Sequence, residues 1–471
     1  MRPEFLILFV AYLALLLAVG LTFSRRMKSA EDFFFAGRRL SSGLICVSLT
    51  ASWFGATSIL VSVDEAFAGG VNAIWIVGVP AVATVLLLAA LFASRLHRLP
   101  VLTWSDLVEL RYGRTVRHLA SGLLVWYMAM LAASQMSALG LFLKDFLGVS
   151  YAGAIGAGAA VVLIYTALGG LRSVIWTDVL QFLLLSAGVL ALFFHIRGAS
   201  SWTSAAVRAA AAGKNGYFNL FHDFGGKGLM ALSFTMAWTI SPIALQRIRA
   251  ARSASAARRG LGATAAALGG FYLLVVATGV LSLPLFPERI GGTSVRPLVA
   301  DIAGGRTGFV LGGLVFVAIL AAILSTMDTA VNAGALVLNR DVIEQIHPRA
   351  KRRPVFWGRT ATVLIAAFAF LVALKLRNIL KTIGLSSEIL AEGFFIPGAA
   401  MMFLKAKYPA AGLFSVCGGG GFAVLSFLES SGIVSLGLPA WPYSVPWGLA
   451  AGAAGFAAGF WVDRRRPDRL A

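Results

Sequence analysis

Apolar residues fill long stretches of this chain, and polar residues are confined to the short intervals between them. Thirteen stretches have membrane-spanning length: 4–24, 41–66, 70–95, 118–143, 150–168, 176–196, 227–246, 260–285, 307–338, 355–374, 382–404, 410–429 and 444–462. About 20 apolar residues cross a bilayer core as one helix, so each stretch predicts one crossing. Lipid offers the backbone no water, and every amide must be satisfied within its own helix. The pattern predicts an all-α polytopic membrane protein with 13 transmembrane helices. No interval is long enough for a soluble domain. The longest, 197–226, carries Trp202, Tyr217 and Phe218 and predicts a short surface helix.

Two of these stretches carry helix-weakening residues. The second reads Ser48-Leu49-Thr50-Ala51-Ser52-Trp53-Phe54-Gly55-Ala56-Thr57-Ser58, rich in small and hydroxyl residues with a central glycine. The seventh reads Ala237-Trp238-Thr239-Ile240-Ser241-Pro242, where proline removes a helical hydrogen bond. Interrupted helices at matching places in two halves point to a transporter binding site. If segments 2–6 and 7–11 are the halves, each half opens on a broken helix.

Charge then fixes orientation. Numbering the intervals alternately puts 12 of the 40 Lys and Arg on the N-terminal side and 28 on the other. Cytoplasmic loops carry the excess of basic residues, so the N-terminus is expected outside and the C-terminus in the cytoplasm of an inner or plasma membrane. A net charge of +20 would suggest nucleic acid in a soluble chain. Its one-sided placement, the run Arg247 to Arg259 included, fits an anionic lipid leaflet better, and no nucleic-acid partner is expected. The first segment has only Arg2 before it and no small-residue cleavage site after it, so it reads as a retained helix.

Candidate chemistry is sparse. Cys46 and Cys417 lie in apolar segments without His or Cys at metal spacing. The glycine runs 153–158 and 418–421 lack the lysine and hydroxyl of a phosphate loop and read as close helix packing. No Ser/His/Asp set stands out, so neither an enzyme nor an organic cofactor is expected. Acidic residues deep in lipid are costly and mark functional suspects: Asp178, Asp328, Glu388 and Glu392, with Asp64 and Glu65 toward the end of segment two.

The stretch Gly169-Gly170-Leu171-Arg172-Ser173-Val174-Ile175-Trp176-Thr177-Asp178-Val179-Leu180-Gln181 resembles the signature of the sodium:solute symporter family. Asp32 to Arg38, Arg111-Tyr112-Gly113, Gln246-Arg247, Leu324 to Asp328 and Leu338 to Asp341 fit the same family in order. The resemblance implies a LeuT-type 5+5 inverted repeat in a single transporter domain. It comprises a peripheral helix (4–24), two five-helix repeats (41–196 and 227–404) and two C-terminal helices (410–462). It also implies sodium held by the carbonyls of Ala51, Phe54 and Ala322 and the hydroxyls of Ser325 and Thr326, with Asp178 close to the ion. Oxygen donors of this kind suit a hard monovalent cation.

The expected function is sodium-coupled symport, importing a small polar organic solute by alternating access, with sodium as the coupling ion. Two alternatives stand beside it: proton coupling through Asp178 or Asp328, and a transporter-like solute sensor. The chain runs only a few residues past Arg464-Arg465-Arg466, which counts against an appended signalling domain. Solute-cavity candidates are Trp53, Thr57, Ser58, Trp238, Ser241, Glu388 and Glu392. Trp53 and Trp238 either stack on solute or fill space. Asp178 either serves the ion or begins a helix and meets its dipole, and the two roles can coexist. Asp328 is either a hydrogen-bonder between helices or part of the ion route. Glu388 and Glu392 either face an outer vestibule or border a hydrated outer helix.

Overall fold

The computed structural model describes residues 3–24, 29–290, 297–303, 308–430 and 432–465. Thr307, at the start of the ninth expected segment, and Arg466, in the terminal basic triplet, lie outside the described residues. Regular secondary structure within them is helical. We number the main helices α1 Pro3–Ser24, α2 Ser42–Trp53, α3 Ser62–Gly69, α4 Val71–Arg98, α5 Arg114–Leu147, α6 Tyr151–Ala199 and α7 Phe224–Thr239. They continue as α8 Pro242–Ala250, α9 Ala254–Leu281, α10 Phe309–Val337, α11 Pro354–Lys375, α12 Ile379–Ala400, α13 Pro409–Ser430 and α14 Val445–Arg464.

Local chemistry sets many helix starts. Ser41, Ser150 and Ser253 turn a hydroxyl onto the amide three residues on, opening α2, α6 and α9. Both expected breaks are present. α2 and α3 meet at 66°, joined by a π-helical turn at Thr57–Val61, and α7 and α8 meet at 41° across Ile240 and Ser241. Among the described residues nine helices pass as membrane spans by length and apolarity, or 11 with each bent pair taken as one.

The expected interval 169–175 narrows to a break at Gly170, after which the helical backbone resumes directly. The 49 residues of α6 are two helical stretches that meet at a non-helical residue, Gly170. α6 therefore carries both the fifth and sixth expected segments, kinked at Gly170 (φ 55°, ψ −147°). A Cβ there would stand 2.2 Å from the Phe33 carbonyl oxygen, so the kink needs glycine sterically as well as conformationally. Asp178 thus lies about two turns into the second stretch rather than at its first turn, and its expected place at a helix N-terminus is corrected.

The basic run beginning at Arg247 is also corrected. Instead of joining an anchor, Arg247 and Arg249 continue α8 into the protein, all nine residues of that helix being buried, whereas Arg252, Arg258 and Arg259 are exposed. The predicted surface helix forms at Trp202–Ala211. The segment after it docks onto the α3–α4 corner. Val71 N–H donates to Tyr217 O (3.0 Å), Tyr217 OH to Ala66 O (2.9 Å), and Lys214 Nζ to Ala68 O (2.6 Å).

At the centre, α2, α6, α9 and α10 pack together, with α5 on α10 and α12. α13 and α14 lie against α12 at one flank, and α1 rides on α6.

Candidate functional site

The α2 ladder ends with Phe54 N–H on Thr50 O (2.9 Å), and at Phe54 (φ −90°, ψ 65°) the carbonyl turns out of the helical direction. α10 passes beside this break. Ser325 Oγ donates to Ala51 O at 2.8 Å and to Ala322 O at 3.2 Å, while Thr326 Oγ1 donates to Ala322 O at 3.1 Å. Four of the five oxygen groups expected from sequence are therefore linked in one buried spot, with Phe54 adjacent at the break. Spacing explains the α10 half, because residues three and four apart share a helix face. Gly55 permits the approach: a Cβ on it would stand 2.5 Å from Thr326 Oγ1.

Gln135 of α5 completes the break. Its Oε1 accepts from Ala56 N–H at 3.0 Å, satisfying an amide that the interruption exposes. Sequence reading missed this residue, although a lone amide amid the apolar 118–143 stretch is itself a signal.

Asp178 lies one hydroxyl layer away. Its Oδ2 accepts from Ser48 Oγ (2.5 Å) and Ser52 Oγ (3.4 Å) and faces Arg247 Nη2 at 3.6 Å. Arg247 and Asp178 are both 0% exposed. Arg247 also donates to Thr329 Oγ1 (2.7 Å), Ser52 Oγ (3.3 Å) and Gln246 Oε1 (3.2 Å), so one guanidinium ties α2, α6 and α10 together. Asp328 turns the other way, accepting from Tyr165 OH (2.5 Å) and Thr177 Oγ1 (3.3 Å) on α6. The helix-to-helix hydrogen bond expected as one of its two roles is present.

Beside the break lies a cavity lined by Trp53, Thr57, Ser58, Trp238, Tyr127 and Gln135, among others, with Thr326 at its edge. Among the described residues no charged side chain lines it. Ser58 Oγ pairs with Tyr272 OH at 2.6 Å, whereas Thr57 Oγ1 is buried without a partner. Of the expected lining residues, Ser241, Glu388 and Glu392 are elsewhere. Ser241 caps α8 through Ile243 N–H, and its carbonyl accepts from Trp104 Nε1. The two glutamates are neither in a vestibule nor hydrated; they are buried where α12 meets α13 and α14.

Each end of the bundle is polar. A wide open vestibule at one end has Asp64 and Glu65 on one wall and Arg377, Asn378 and Lys381 on another. The opposite end is tied shut by ion pairs. Arg117 engages Asp106, Glu109 and Asp341, and Arg340 Nε meets Asp106 at 3.2 Å. Burial pushes the Glu109 carboxyl up, but the Arg117 and Arg114 guanidinium groups outweigh it and hold it below the usual carboxylate range.

A buried hydroxyl-and-carbonyl cluster at a broken helix, beside a cavity in a helical bundle, defines an ion-coupled membrane transporter. The sequence profile described as "Sodium:solute symporter family" matches residues 33–406. The chain belongs to the sodium:solute symporter family. It is 26% identical over 442 residues to a sodium/glucose cotransporter of Vibrio parahaemolyticus, covering 85% of this chain and 79% of that one. It is also 26% identical to the human sodium/iodide cotransporter over 74% of this chain, and spans 56% of that relative's length. In three dimensions it resembles a sodium-coupled sialic acid symporter solved in a substrate-bound outward-open state. That likeness has a TM-score of 0.81 and 21% identity and covers 97% of both chains. The fold is of the LeuT type. The protein is a multi-pass membrane symporter that couples a small solute to sodium.

Proposed function

We propose that this symporter imports a small polar organic solute with sodium by alternating access. The observation that carries this reading is the convergence of Ser325 and Thr326 on Ala51 and Ala322 at the α2 break. Sodium would be held by the carbonyls of Ala51, Phe54 and Ala322 and the two hydroxyls. Asp178 balances charge from one layer out, steered by Ser48 and Ser52. The solute would occupy the adjacent cavity between Trp53 and Trp238, where stacking and neutral hydrogen bonds dominate. A charged solute would find no counter-charge there.

The division into repeats 41–196 and 227–404 is supported by the bent pair that opens each. The excess of Lys and Arg on one side supports an external N-terminus and a cytoplasmic C-terminus. In that orientation the vestibule opens outward and the Arg117 cluster closes the inner side. Sodium binding at the break orders α2 against α10 and favours solute binding next door. Linkage makes the effect mutual, so each ligand tightens the other by the same factor, about 5–150-fold in typical coupled systems.

Thermal stability of the detergent-purified protein in sodium, potassium and choline chloride at matched ionic strength tests the reading. Sodium alone should stabilise, and transported solutes should add to it. Equal stabilisation by all three salts would remove the sodium site. Gly55→Ala gives a local check. Its methyl must displace Thr326, so half-saturating sodium should rise roughly tenfold, equivalent to about 1.4 kcal/mol, while the protein still folds.

A further inference from the structure

The interface of α12 with α13 and α14 contains two carboxyl groups that neither the ion site nor the solute cavity uses. Glu388 and Glu392 sit one turn apart on α12 and are 1% and 0% exposed. Glu388 Oε1 accepts from Ser426 Oγ of α13 (3.0 Å) and from Ser444 Oγ just before α14 (2.5 Å). Glu388 Oε2 and both carboxylate oxygens of Glu392 are buried with no partner.

Charged groups on the surrounding helices are engaged elsewhere or stand at helix ends. On α13, Glu429 accepts from the amides of Leu436 and Gly437. On α14, Asp463 holds the amides of Ala410 and Ala411, and Arg464 lies over Phe460. α7 offers Lys227, bonded to Asn72, and the charged and His residues of α5 are confined to its two ends. Among the described residues no Lys, Arg or His pairs with either glutamate.

The space is also closed. A Cβ on Gly448 would stand 1.8 Å from Glu392 Oε2, and one on Gly419 would stand 1.9 Å from the Glu392 carbonyl oxygen. These glycines let three helices close around the carboxyl, leaving no room for a coordinated metal ion. Two adjacent anions buried in lipid without a counter-ion are prohibitively costly, whereas a carboxylic acid is tolerated. Only a proton is small enough to remove the charge.

We infer that Glu388 and Glu392 form a proton-binding site at the joint between α12 and the α13–α14 flank, apart from the sodium and solute sites. At least one of the two is a neutral acid in the folded protein. Raising the pH ionises it, places charge in the closed joint and loosens α12 from its flank. The stabilisation is therefore present on the acid side and lost as pH rises.

The test compares wild type with Glu392→Gln, which imitates the protonated acid permanently. Infrared difference spectra at neutral pH should show a carboxylic-acid C=O band in wild type that shifts in D2O and is missing from the variant. The melting temperature of the wild type should fall from acid to alkaline pH, and the variant should lose at least half of that fall. Glu388→Gln is measured alongside it, so that the acid band is followed to whichever glutamate carries the proton. An acid band and a pH profile left unchanged by both Glu392→Gln and Glu388→Gln overturn the inference.

Discussion

Arg247→Ala is expected to destabilise the protein by about 3–5 kcal/mol, the usual cost of stripping a buried charge of its partner. The substitution leaves Asp178 inside the bundle facing only Ser48 and Ser52, and it removes the donor that Thr329 and Gln246 share. Chemical denaturation in detergent, or failure to accumulate in the membrane, would register the loss. Combining Arg247→Met with Asp178→Asn should recover a large part of it, since the pair then leaves together. A double-mutant cycle gives the coupling directly. If Arg247→Ala melts like the wild type, the guanidinium is not what holds α2, α6 and α10 together.

Replacing Ser325 and Thr326 by alanine together should abolish sodium-dependent stabilisation with far less effect on the sodium-free fold. Ligand binding stabilises by RT ln(1 + [L]/Kd), about 2.7 kcal/mol at one hundred times Kd. The double variant removes two of the five proposed oxygen ligands, and at the same sodium concentration this gain should be nearly lost. Solute uptake should fall with it, because Thr326 also lines the cavity. Retention of the full sodium response would place the ion elsewhere. The two predictions separate cleanly: one is read without sodium and the other only as a difference between salts.

Much of this architecture could be read from the chain. The breaks at Gly55 and Pro242, the surface helix near Trp202, and the shared face of Ala322 and Ser325 follow from residue type and helical period. The failures have a common cause. Hydropathy along the chain measures length and depth, not which neighbour a face meets. Arg247 opens a basic run and reads as a loop. Yet it lies one turn beyond Pro242 in a half-helix that starts inside the bundle, and so it stays inside. Glu388 and Glu392 read as solvent-facing because carboxylates usually are. Gly419, Gly448 and Gly452, the first of them noted for close packing, are what make room for Glu392. Asp178 reads as a helix start because the polar interval runs to residue 175, whereas the helix resumes directly after the break at Gly170. Gln135 was legible in principle as a side-chain amide placed in the middle of an apolar stretch.

The docking of Tyr217 onto the α3–α4 corner gives the buried break a lever in water. Gly70 sits at φ 90° with room for no side chain, since a Cβ would meet the Tyr217 carbonyl oxygen at 1.8 Å. The corner and the segment 214–217 are thereby riveted together and must travel as one piece. Any tilt of α3 is then carried to the surface helix, where Val207 is 66% exposed. A spectroscopic label at that position would ride on the far arm of the lever and report a motion beginning beside Phe54, with no atom of the ion or solute site altered.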